Sequence, residues 1–229
     1  MLDIREWKHV FKLDPERSIS DEALERVCCS GTHAVMVGGS TGVTFENTVD
    51  LLSRIRRFSV PCVLEISHAE AIVPGFDYYF IPMVLNSRDP QWIVGQHREA
   101  LRDYGALIDW SQVVPQGYVV LNEDSAVGRL TGAEAPLDVK DMLAYARLAD
   151  KLLRLPIVYM EYSGRFGDME WVRRTRDVLQ ASQLVYGGGI DGLEKARQAA
   201  ANADTIVVGN TIYTDLERAL ETVQVLEDV

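Results

Sequence analysis

The sequence predicts a single (β/α)8 barrel spanning residues 1–229, on three observations. Eight short apolar runs recur along the chain, each followed by a connection, and most connections have helical periodicity. The runs are continuously apolar rather than alternating, as parallel strands buried on both faces require. Eight such units in 229 residues match the size of one closed barrel. An open doubly wound sheet is the runner-up, and the count and even spacing favour closure.

WKHVFK (7–12) reads as the first strand. The helix SDEALERVCCSG follows, with Ser20 as N-cap, Asp21 and Glu22 at the positive end of the dipole, and Gly31 as the stop. AVMVGG (34–39) is strand two, and FENTVDLLSRIRR its amphipathic helix. After strand three, PCVLEI (61–66), the rhythm fails. Residues 67–77 contain a proline and a glycine where a helix is due, which predicts irregular structure. YYFIP (78–82) is strand four. Asp89 and Pro90 open a helix through QWIVGQHREALRDYG that Gly105 closes. GYVVLN (117–122) is strand five, with a helix from about Asp138 to Arg154. PIVYMEYSG is strand six and precedes a helix from about Asp168; LVYGGG is strand seven and precedes GLEKARQAAAN. TIVVGN is strand eight, and DLERALETVQVL is the last helix.

The bulk numbers exclude several function classes. Hydrophobic residues make up 47% and charged residues 25%, an ordinary globular composition. The net charge of −11 argues against nucleic acid, whose phosphates need a basic surface. It does not exclude a small anion held by main-chain N–H groups, one lysine and a divalent cation. No run reaches the ~18–20 apolar residues of a membrane span, so stable membrane insertion is not expected. The polar N-terminal segment lacks the apolar stretch of a signal peptide, which points to the cytoplasm. Cys28, Cys29 and Cys62 form neither a disulfide framework nor a zinc motif and read as small hydrophobes. The four histidines, at 9, 33, 68 and 97, lack metal-ligand spacing.

In such a barrel, functional residues sit at the C-terminal strand ends. Strands seven and eight end in Gly187-Gly188-Gly189 and Gly209-Asn210. Glycines there let main-chain N–H groups reach a phosphate, although a pair of tight turns would also use them. Lys12 and Asp14, two apart at the end of strand one, turn the same way and suit a phosphate and Mg²⁺. A surface ion pair is the alternative. Ser40 adds a hydroxyl after strand two, or caps a helix. Tyr159, Glu161 and Ser163 share a face of strand six. Glu161 closes an apolar run, where a carboxylate is either paired for structure or a base for a hydroxyl substrate. Trp92, Ala100 and Tyr104 fall near one side of their helix, as core packing or as the wall of an apolar groove.

Taken in order, WKHVFKLDP, VGGST, FDYYFIPMVLNS, YMEYSG, YGGGI and IVVGN resemble the geranylgeranylglyceryl phosphate synthase family, and within it the bacterial, heptaprenyl branch. The resemblance runs from Trp7 to past Ile212. It implies a modified barrel whose third helix is replaced by an irregular segment. It implies Mg²⁺-dependent transfer of a polyprenyl group from its diphosphate to the 3-hydroxyl of sn-glycerol 1-phosphate, by a homodimer. The family's glycerol phosphate site maps onto Lys12, Tyr159, Met160, Glu161, Tyr162, Ser163, Gly164, Gly189, Gly209 and Asn210, with Glu161 as the base. Its metal and diphosphate region maps onto Asp14 and Ser40. Archaeal relatives carry a bulky aromatic where Ala100 stands, so a small residue here implies a longer tail. Two other functions fit the phosphate glycines. A phosphosugar isomerase or aldolase would need a Schiff-base lysine or a central acid/base pair. A non-catalytic glycerol phosphate sensor would need neither metal nor groove.

Overall fold

The computed structural model describes residues 3–227. Eight parallel strands close into a barrel in chain order: β1 His9–Leu13, β2 Ala34–Val37, β3 Cys62–Glu65, β4 Tyr78–Val84, β5 Val113–Val120, β6 Ile157–Glu161, β7 Gln183–Gly187 and β8 Thr205–Val208. β8 pairs back onto β1, with Val208 opposite Phe11. The closed barrel is the fold the sequence predicts. Side chains alternate across the strands. One set, including Val10, Met36, Val63, Phe80, Tyr118 and Val185, fills the interior. The other, including Phe11, Leu13, Val37, Leu64, Met160 and Tyr186, packs outward against the helices.

The helices are α1 Asp21–Cys28, α2 Phe45–Ile55, α3 Gly95–Tyr104, α4 Ala126–Thr131, α5 Val139–Arg147, α6 Met169–Val178, α7 Leu193–Ala200, α8 Thr211–Thr214 and α9 Leu216–Glu221. Ser20 caps α1 by accepting from the Ala23 N–H, and Thr44 and Asn47 cap α2 reciprocally. No full helix follows β3: one tight turn, Ala69–Ala71, is the only regular piece before β4. The segment is nevertheless anchored. Val73 and Phe76 are buried in the outer core, and Asp77 accepts from the Cys62 N–H at 2.7 Å and from Arg56 at 2.9 Å.

The structure corrects several boundaries. The helix expected from Pro90 is a short turn, Pro90–Trp92, followed by a break at Val94 before α3 begins. The adjacent β-branched Ile93 and Val94 disfavour continuation. The helix expected to run to Arg154 ends at Arg147 and widens into a π-turn, Leu148–Leu153. There Asp150 is buried and accepts from the N–H groups of Gln180, Ala181 and Ser182, an interaction with no local signature. β5 begins four residues early because Pro115 and Gln116 lie inside the strand. α4 was not anticipated, since six residues are too few to show periodicity.

Candidate active site

At the C-terminal mouth, the interior-facing positions of β1, β3, β5 and β6 bring charge together. The Lys12 ammonium pairs with the Glu65 carboxylate. Burial alone would lower the Lys12 pKa, but Glu65, Glu161 and Asp14 outweigh it and hold the amine above its usual range. Glu161 is buried and fully addressed. Its Oε2 accepts from the Tyr118 hydroxyl at 2.6 Å, and its Oε1 accepts from the N–H and Oγ of Ser163 at 2.6 and 2.7 Å. Tyr118 stacks on Tyr159 with ring centroids 4.6 Å apart. Burial, then the negative charge of Glu161 and Glu65, pushes both phenols far above their usual pKa, so they remain hydrogen-bond donors.

Asp14 lies just past β1. Its Oδ1 accepts from the Glu16 N–H at 3.0 Å, and its own N–H donates to the Tyr213 hydroxyl at 2.8 Å. Gly39 faces this carboxylate so closely that a Cβ there would sit 2.5 Å from Oδ1. The bare backbone of Gly39 makes room for this one carboxylate, and Gly39 and Ser40 line the cavity wall. Mg²⁺ is bound by one or two carboxylates together with substrate phosphates and water. Among the described residues no three acidic, histidine or cysteine side chains converge as a self-sufficient metal site. A single carboxylate here leaves any such ion dependent on phosphate oxygens and water for its remaining ligands.

The glycines of β7 and β8 have different reasons. A Cβ on Gly189 would fall 2.1 Å from the Phe166 nitrogen, and one on Gly188 would fall 2.7 Å from the Tyr162 carbonyl carbon. Both have positive φ, +63° and +135°. What approaches these residues is the protein's own β6–α6 loop. Gly209 is unlike them: a Cβ there would meet only the Lys12 carbonyl oxygen, at 3.6 Å, and Lys12 Cβ, at 3.8 Å. Internal packing does not require that glycine. Next to it, Asn210 is exposed and accepts from Arg17 at 3.0 Å, while the Arg17 guanidinium lies over the Tyr213 ring.

Of the remaining site positions on β6, Ser163 lines the cavity and Tyr159 is buried in the interior. Gly164, at φ +79°, has open space around it. The Met160 and Tyr162 side chains point outward into the helical layer, so only their main-chain atoms can face the mouth.

From this polar centre a cleft of about 1370 Å³ runs out between the 66–77 segment and α3. Trp92, Ala100 and Tyr104 all line it. Trp92 belongs to the preceding turn rather than to α3, and no α3 residue is buried, so the core-packing alternative for this helix fails. A hydrogen bond from His97 Nε2 to the Pro82 carbonyl, 3.0 Å, fastens α3 to β4. Glu65, Tyr118, Arg17 and Tyr213 were missed by the sequence reading. Glu65 had the same signature that singled out Glu161, a carboxylate closing an apolar run. The other three are brought in by register and tertiary contact.

Comparison with known proteins agrees with this fold. Residues 2–226 match the PcrB family. The chain belongs to that family. A heptaprenylglyceryl phosphate synthase from Bacillus cereus is 54% identical over 227 residues, 99% of each chain. The (S)-3-O-geranylgeranylglyceryl phosphate synthase of Thermoplasma acidophilum, crystallised with its substrate sn-glycerol-1-phosphate, superposes with a TM-score of 0.86 at 26% identity, covering 97% of this chain and 94% of that one. The Thermoplasma volcanium enzyme, at 24% identity, has the same fold with a TM-score of 0.85 over 98% of this chain and 94% of that one.

Proposed function

We propose that this PcrB protein transfers a long polyprenyl group, heptaprenyl, from its diphosphate to the 3-hydroxyl of sn-glycerol 1-phosphate. An ether forms and diphosphate leaves. The observation that supports this reading best is the continuity of the cleft: one cavity joins the Lys12–Glu65–Glu161 centre to an apolar trench past Ala100 and Tyr104. A sensor of a small phosphate needs no such trench. At about 1370 Å³ it also exceeds the ~300–1,000 Å³ of a drug-sized ligand site. At ~0.8 kcal/mol per buried CH₂, a long isoprenoid has ample energy to occupy it.

In this reading the acceptor's phosphate lies at the ends of β7 and β8, against the main chain of Gly189 and Gly209, with Asn210 and Arg17 at the rim. Lys12 supplies a fixed positive charge in the centre. Tyr118 and Ser163 hold the Glu161 carboxylate in one orientation. Glu161 accepts the proton of the attacking hydroxyl as that oxygen bonds to the allylic carbon. Mg²⁺ at Asp14 and Ser40 would offset the charge of the departing diphosphate. The trench walls keep water from the allylic carbon, which would otherwise be hydrolysed. A Schiff-base aldolase on the same barrel is disfavoured, because its lysine must lose its proton and Lys12 is held charged. A cytoplasmic homodimer belongs to the same proposal.

The test is incubation with Mg²⁺, labelled glycerol 1-phosphate and a series of polyprenyl diphosphates. A solvent-extractable labelled lipid is expected, formed best with the heptaprenyl donor. Its absence with every donor would overturn the proposal.

A further inference from the structure

Two carboxylates flank Lys12, and the protein treats them differently. Every oxygen of Glu161 has a donor. Glu65 uses Oε2 for Lys12, while its Oε1 is buried with no hydrogen-bond partner. Two residues on, the Ser67 Oγ is also buried and unpartnered. Both residues line the cleft at the point where the polar centre opens into the trench. Buried polar atoms are normally paired, so an unpaired acceptor and an unpaired hydroxyl on the wall of one cleft call for a ligand.

The chemistry of that ligand is constrained. An anion would be repelled by Glu65, and a polyprenyl diphosphate has no O–H or N–H to donate. An alcohol donates to a carboxylate and accepts from a serine hydroxyl. Glycerol phosphate has two free hydroxyls, and the proposed transfer consumes only one. We infer that Glu65, assisted by Ser67, binds the acceptor's second hydroxyl, at C2, and so selects a vicinal diol over a simple alcohol. This rests on the proposed transferase reading. Lys12 balances the Glu65 charge and frees the carboxylate to act as an acceptor. The last torsion of a glutamate is soft, so Oε1 can swing toward the cleft without moving β3.

The test compares glycerol 1-phosphate with 3-hydroxypropyl phosphate, which keeps the phosphate and the reacting hydroxyl but lacks the one at C2. Binding to the wild-type chain is measured by calorimetry, and kcat/KM is measured with Mg²⁺ and one polyprenyl diphosphate. Wild type is expected to favour the diol by about ten- to hundredfold, the ratio one hydrogen bond to an ionised group supports. In Glu65→Gln, which retains an acceptor for Lys12, that ratio is expected to collapse toward one. Equal affinity for both compounds in wild type overturns the inference without any variant. An unchanged ratio in a folded Glu65→Gln overturns it too and leaves Glu65 as a mere holder of Lys12. Failure of the transferase reading looks different: no lipid forms from either acceptor, whatever the binding ratio.

Discussion

The two ends of this barrel use polar residues in opposite ways. At the foot, where strands begin, polar groups close on one another. The His9 ring nitrogens lie 2.9 Å from the hydroxyls of Thr32 and Thr222. Gln183 donates to Thr205 at 2.7 Å, and Thr205 donates to the Trp7 carbonyl at 2.6 Å. Gln116, midway along β5, is the exception, buried with neither amide atom paired. At the mouth the groups are oriented yet open. Glu161 is held but faces the cavity, and Glu65 and Ser67 keep unpaired atoms. A closed network stabilises, while an open one is satisfied only by a ligand. The foot should therefore govern stability and the mouth turnover.

The hardest test of that division is Glu161→Gln. The amide still accepts from Tyr118 or Ser163, so the fold should hold, but it cannot take a proton. We expect turnover to fall by about 10²–10⁴, the usual contribution of a general base, with glycerol phosphate affinity nearly unchanged. Calorimetry alongside a lipid-product assay checks both. Unchanged turnover would remove Glu161 from the chemistry. A large loss of thermal stability would mean that the mouth is structural after all.

Glycines sharpen the division within the mouth. Gly189→Ala forces a methyl into the 165–166 backbone at positive φ, so it should destabilise by about 2–4 kcal/mol in urea unfolding. Gly209→Ala meets only ordinary contacts. Its stability should stay within about 0.5 kcal/mol, while the glycerol phosphate KM rises. If both variants lost stability alike, Gly209 would be a packing glycine rather than a binding one.

These two glycines also show what a sequence can and cannot convey. Both strand ends read alike, as glycine after an apolar run, because composition does not report what faces the missing side chain. The barrel itself was readable because eight buried parallel strands impose an unbroken apolar signature. That Lys12 and Glu161 face the cavity was readable, because period-two geometry turns alternate residues at a strand end toward the barrel mouth. Arg17 and Tyr213 were not, since the contact between them spans nearly the whole chain. Nor was the break after Trp92, where local β-branching overrode a well-capped start.

The trench offers a weaker perturbation. Ala100→Trp adds bulk to a helix with no buried residue, so stability should change by less than about 1 kcal/mol. With the trench shortened, kcat/KM for the heptaprenyl donor should fall about ten- to hundredfold while a geranylgeranyl donor is retained, as each uncovered CH₂ forfeits ~0.8 kcal/mol. Equal use of both donors by the variant would place the tail elsewhere.

The smallest expected effect returns to the foot. Burial, with a minor push from His33, lowers the His9 pKa from 6.5 to about 3. The folded state therefore holds the ring neutral, whereas the unfolded chain takes up a proton below pH 6.5. Between these values the unfolded state binds more protons, so stability is fully present above pH 6.5 and declines as the pH falls toward 3. From pH 7.5 to 5.5 the loss should be about 1.4 kcal/mol, one pKa unit's worth. Urea unfolding at the two pH values measures it, and His9→Asn should flatten that part of the profile without altering acceptor KM. A pH slope that survived in the variant would assign the acid sensitivity to another group, and a changed KM would mean that the foot reaches the site it is supposed only to support.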